Sequence, residues 1–164
     1  MLPKIQKILY ATDLSDNSRL AFGYAASLAK RYQAQIMVLH VIEPVNPNTY
    51  MQISGAMGES EWVNLQLDFE STMVDDLGKK LQQFCEDMQT DIEEVNIRTD
   101  DLLIRKGMSV DMILSTASGH HADIIVMGTH GYGMVKDALM GGTARRIVRR
   151  SNIPVLVVPS QEEA

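Results

Sequence analysis

Between Ile124 and Ala144 an apolar run, Ile124-Ile-Val-Met127, stops at Gly128 and gives way to Gly131, Gly133, Gly141 and Gly142 before a helical pattern begins. The chemistry this spacing could do is anion binding. Glycines let backbone N–H groups approach an oxyanion with no Cβ in the way. A helix N-terminus adds unpaired N–H donors and the positive end of its dipole. Phosphate is the anion that a strand, glycine loop and helix start commonly cradle. The segment has no Gly-Lys-Ser/Thr, so it is not a P-loop. Gly131-x-Gly133 is followed by Lys136 where a dinucleotide loop has its third glycine. Taken alone, the glycines also suit a plain strand-to-helix turn that needs positive φ.

Other reactive side chains carry two readings each. Asp13, at the end of the first apolar run, can accept from ribose hydroxyls or cap a helix. His130, inside the glycine loop, can donate to a phosphate, and general acid–base work is the weaker reading. His40 lies on an apolar strand and reads as a satisfied core histidine. His120 and His121 stand side by side without a third ligand, so they read as helix-end residues rather than a metal site. Arg145, Arg146, Arg149 and Arg150 form a basic cluster that complements a helix C-terminus or gathers phosphates. Arg145 is nearest the loop and the best phosphate candidate of the four. Lys136 could reach a γ-phosphate or stay solvated. Cys85 sits in an apolar helical stripe and reads as inert core. No carboxylate base beside a nucleophile and no Walker B pairing is found, so no catalytic residue is assigned. Slow hydrolysis of a bound phosphate compound is the enzymatic alternative.

These groups need elements to hold them. Ile5 to Tyr10 reads as a buried strand, with Asp13, Ser15 and Asp16 as turn and N-cap residues. Leu20, Ala21, Tyr24, Ala25, Leu28 and Ala29 then recur at helical spacing. Ala34 to Ile42 is a second strand. Residues 44–60, with Pro44, Pro47, Gly55 and Gly58 and no clear period, read as a flexible loop. A long helix follows from about Glu61 to Met88, interrupted in propensity by Gly78. The third strand is Val95 to Ile97, or Leu102 to Ile104, or both as one bent strand. Ser109 caps a helix ending near Gly119. Asp123 to Met127 is the fourth strand, Gly142 to Ser151 the last helix, and Pro154 to Pro159 the fifth strand. The alternation of strands and helices predicts an α/β fold, a parallel sheet with helices on both faces. Ligands of such sheets sit at the carboxyl ends of the strands, where strand order reverses.

Composition limits the partners. The 164 residues suggest one domain, 1–164, large enough for a core without disulfides. The net charge of −6 argues against nucleic acid and anionic membrane surfaces. One cysteine permits no intrachain disulfide, no stretch reaches the ~18 apolar residues of a membrane span, and no signal-peptide pattern opens the chain. A cytoplasmic location is the expectation.

Three segments together resemble the universal stress protein family. They are Lys7-Ile-Leu-Tyr-Ala-Thr-Asp-Leu-Ser15, Ile36-Met-Val-Leu-His-Val41, and the glycine loop read as Gly128-x2-Gly131-x9-Gly141-Gly142-Thr143, closing in Ser151-Asn-Ile-Pro-Val-Leu-Val-Val158. The likeness runs in order along essentially the whole chain. It implies a Rossmann-like five-stranded parallel sheet in the order 3-2-1-4-5 and an adenine nucleotide, ATP or AMP, with Mg²⁺ carried by the phosphates. It also implies a stress-response or signalling role. Transferred by position, the nucleotide contacts are Ala11, Thr12, Asp13, Val41, Met127, Gly128, His130, Gly131, Gly141, Gly142, Thr143 and Ala144. Val41 would meet the base through its backbone. The family forms homodimers, here through an edge strand of Val155, Leu156, Val157 and Val158. A dimeric interaction protein without nucleotide is the alternative, because Gly142 stands where the family pattern has Ser or Thr.

Overall fold

The computed structural model describes residues 1–44, 46–129 and 140–160. Strands β1 (Lys7–Ala11), β2 (Gln35–Ile42), β3 (Leu102–Lys106), β4 (Ile124–Gly128) and β5 (Val155–Val158) form one sheet in the order β3-β2-β1-β4-β5. All four pairings are parallel. The central strands are runs of Ile, Leu, Val and Met because both faces are covered. Ile8, Tyr10, Ile36, Val38 and Val126 face helices α1 (Ser18–Tyr32) and α3 (Glu59–Asp87). Leu9, Ala11, Met37, Leu39, Ile125 and Met127 face α4 (Ser109–Gly119) and α5 (Gly142–Arg150).

Helix α1 buries Ala21, Phe22, Ala25, Ala26 and Ala29. Tyr24, placed by spacing on the inner face, is half exposed, and Phe22 takes the interior position between Tyr10 and Phe84 at centroid distances of 5.6 and 5.8 Å. The small alanines let α1 lie close on β1 and β4. Gly78 does not interrupt α3: it lies over the sheet beside Leu102.

Three readings of the sequence need correction. Residues 44–60 are not a loop throughout, because Pro47–Met57 is helix α2. The Asn46 side chain accepts from Asn48 N–H at 2.9 Å, Pro47 occupies the first turn, and Gly58 at φ 83° ends it. None of its residues is buried, so it carries no strong apolar period; Tyr50 meets Trp62 of α3 edge-on at 5.4 Å. The third strand is Leu102–Lys106 alone. Ile92–Val95 is a 3₁₀ turn outside the sheet, and it ends at Asn96, in the left-handed region at φ 56°. Buried Asp101 starts β3, accepting from Gln35 Nε2 at 2.6 Å and Arg98 N–H at 2.9 Å. Finally, the two expected helix caps are not caps: α1 begins at Ser18 behind Asn17, so Asp13 caps a turn, and α4 begins at Ser109 itself behind Met108, with the Ser109 hydroxyl donating to Glu43 Oε1 at 2.9 Å.

Candidate functional site

β1 stops at Ala11 while β2 continues three residues past Leu39, its last β1 partner. The gap opens a cleft of about 220 Å³ at the carboxyl ends of β1, β2 and β4. Its apolar wall is Ala11, Leu39, Val41, Ile113 and Met127, and its polar end is Thr12, Asp13, Ser18 and the start of α5. A flat apolar wall beside polar donors suits an aromatic ring attached to a polar tail.

The turn after β1 is fixed by its own side chains. Thr12 N–H donates to Leu39 C=O at 2.9 Å. Thr12 Oγ1 donates to Ser18 Oγ at 3.0 Å and accepts from Leu14 N–H at 3.1 Å. Asp13 Oδ1 accepts from Ser15 N–H at 2.9 Å and Ser15 Oγ at 2.6 Å. These bonds satisfy Leu14 at φ 68° and hold the half-buried Asp13 carboxylate at the cleft. Beneath them Tyr10 Oη donates to Ser18 C=O at 2.9 Å, and burial pushes the Tyr10 phenol up to about 12.

The other polar wall is the N-terminus of α5. Gly141 N–H donates to Thr129 C=O at 2.7 Å, joining the end of β4 to the helix start. That bond takes Gly141 out of the donor set. The N–H groups of Gly142, Thr143 and Ala144 are the orphan donors of the first turn, where the dipole favours an anion. Gly142 is exposed, and a Cβ placed there would meet nothing within 4 Å. Arg145 is exposed, and Arg150 pairs with Asp111 at 3.0 Å.

Ala11, Thr12, Asp13, Val41, Met127, Gly128, Gly141, Gly142, Thr143 and Ala144, all singled out from sequence, line this one cleft. His130, Gly131, Lys136 and the rest of 130–139 lie outside the described residues. Leu39, Ser18, Ser109, Ile113 and Thr129 also line it and were not anticipated. Leu39 was findable as the residue two before Val41, on the same face of β2. Ile113 carried no local signal beyond its place in an amphipathic stripe. His120 is the C-cap of α4, where its carbonyl accepts from Lys7 Nζ at 3.3 Å beside the amino end of β1.

A parallel sheet whose order reverses at β1, with a cleft between β1, β2 and β4 at their carboxyl ends, defines a doubly wound, Rossmann-like α/β protein. The sequence model of the universal stress protein family matches residues 4–159, and the chain belongs to that family. The universal stress protein MJ0577 of Methanocaldococcus jannaschii is 28% identical over 93% of this chain and 94% of its own. A universal stress protein of Thermus aquaticus is 30% identical over 92% of this chain and 96% of its own. Among solved structures, universal stress protein UspA from Lactobacillus plantarum superposes with a TM-score of 0.71 at 24% identity, over 96% of this chain and 99% of its own. A universal stress protein solved in complex with cAMP superposes at 0.58 with 20% identity, over 97% and 100%.

Proposed function

We propose that the cleft binds an adenine nucleotide, ATP in the first instance, and that the protein works as a nucleotide-dependent stress-response module. The observation that carries this is the joining, in one cleft, of an apolar slot, a carboxylate and a helix N-terminus with free N–H donors. The base lies between Val41 and Met127, beside Ala11 and Thr12, with its polar edge on the Val41 main chain. Asp13 accepts from the ribose hydroxyls. Gly142, Thr143 and Ala144 donate to phosphate, Gly128 leaves room for it, and Thr143 supplies a hydroxyl one position after the family's usual one. His130 and Gly131 join them by the family resemblance. Asp13 is the single carboxylate among the described lining residues, so a Mg²⁺ ion is held by the phosphates and water. The relative solved with cAMP supports an adenine nucleotide as the ligand class.

The working form is a cytoplasmic homodimer joined through β5, which is an edge of the sheet. Titration calorimetry with ATP, AMP and cAMP tests the binding. Saturable 1:1 binding of ATP per chain is expected. Absence of heat with all three, together with an unshifted Tm, would leave the dimeric interaction protein as the function.

A further inference from the structure

His40 does not line the cleft. It belongs with Ile36 and Val38 on the alternate positions of β2, whose side chains face α1 and α3, whereas Leu39 and Val41 face the cleft. Its Nδ1 lies 2.9 Å from Thr12 C=O. A carbonyl only accepts, so Nδ1 carries the proton.

The register shows what this bond replaces. Ala11 pairs with Leu39, which puts Thr12 opposite His40. In an unbroken parallel ladder, Thr12 N–H donates to Leu39 C=O and Thr12 C=O accepts from Val41 N–H. The first bond is present at 2.9 Å. The second is not: the His40 imidazole holds that carbonyl instead. The next rung would run from Leu14 N–H to Val41 C=O, and Leu14 N–H has turned to Thr12 Oγ1 at 3.1 Å. Backbone groups of β2 alternate in direction. Gln35 N–H and Leu39 C=O bond towards β1, while Ile36 N–H and Ile42 C=O bond away from it. Val41 N–H and C=O therefore both point to the β1 side, where β1 has ended and the cleft begins.

We propose that His40 is a positioning residue: it occupies the Thr12 carbonyl from the opposite face of the sheet and so keeps the Val41 N–H free to read a ligand's base. A donor and an acceptor on one residue match a ring nitrogen next to an exocyclic amino group, the edge that adenine presents and hypoxanthine does not. The proposal rests on the nucleotide reading for its ligand, and its structural half stands without one.

The test compares wild type, His40→Leu and His40→Asn by amide hydrogen exchange at Val41, resolved by NMR without ligand. Asn places a donor at nearly the same distance from Cα as Nδ1, and Leu places none. Fast exchange is expected in wild type and His40→Asn, and at least about tenfold slower exchange in His40→Leu, where Val41 N–H closes onto Thr12 C=O. Equal exchange in all three would overturn the proposal, whatever the ligand. ATP titration adds the functional arm. His40→Leu should lose about tenfold in affinity and most of the preference for ATP over ITP, with His40→Asn restoring both. An unaltered ATP-to-ITP ratio in His40→Leu would overturn the role in base reading. Wild-type protein that binds neither nucleotide would contradict the nucleotide reading, while the exchange comparison still decides the role of His40.

Discussion

At the scale of single residues, Gly142 opens α5 at the polar end of the cleft. The family pattern has a hydroxyl here, yet the N–H that matters is kept, and a side chain would enter open space. Gly142→Ser is therefore expected to leave ATP affinity unchanged or to tighten it by up to about tenfold, the worth of one hydrogen bond. Calorimetry decides, and loss of binding would show that the start of α5 does not face the phosphates. Tyr10 gives a prediction free of ligand. Burial raises its phenol from 10 to about 12. As pH rises the unfolded chain releases that proton first, so the stability Tyr10 confers is intact below pH 10 and is lost on the way to pH 12, by about 2–3 kcal/mol. The urea midpoint should drop over this window, and drop less in Tyr10→Phe. An identical pH profile for the two proteins would mean that the phenol is not desolvated.

At the scale of elements, Gly78 sits mid-helix in α3, where a Cβ would lie 3.7 Å from Leu102 Cδ1, an ordinary contact. Gly78→Ala should stabilise by about 0.5–1 kcal/mol through the helix backbone alone. A lower Tm would show that α3 and β3 approach more closely than this. The elements also show what a sequence displays and what it hides. β1, β2 and β4 were legible because their apolar runs end on glycine, proline or a polar turn, and α5 because Gly141 and Gly142 mark its start. The cleft residues on them were legible for the same reason, since the site is made where those runs stop. α2 was hidden because it buries nothing, leaving capping by Asn46 and Gly58 as its only mark. β3 was ambiguous because Val95 is as buried as a strand residue while its backbone turns at Asn96. The occupied N–H of Gly141 was hidden as well, because its acceptor is the Thr129 carbonyl at the end of β4, a pairing distant in sequence that no local pattern marks.

At the scale of the whole molecule, β5 is an edge strand, and one row of its main-chain groups has no strand partner among the described residues. Pro154 and Val158 carbonyls accept from Ile125 and Thr129 on the β4 side, so Val155 and Val157 present theirs outward. Dimerisation through this edge predicts that Val157→Pro, which deletes an outward N–H and keeps the β4 ladder, yields a folded monomer by sedimentation. A variant that sediments as wild type would place the interface elsewhere. Thr129 ties this edge to the cleft, since its N–H donates to Val158 C=O at 3.0 Å and its carbonyl accepts from Gly141 N–H at 2.7 Å. The ligand proposed for the cleft between β1, β2, β4 and α5 is an adenine nucleotide. Mass spectrometry of small molecules released from the gently purified protein tests that most directly. ATP or AMP is expected at close to one per chain, and is expected to be lost in a variant whose cleft is blocked by Ala11→Trp. Protein that releases no adenine nucleotide, and takes up none when ATP is added back, would contradict it.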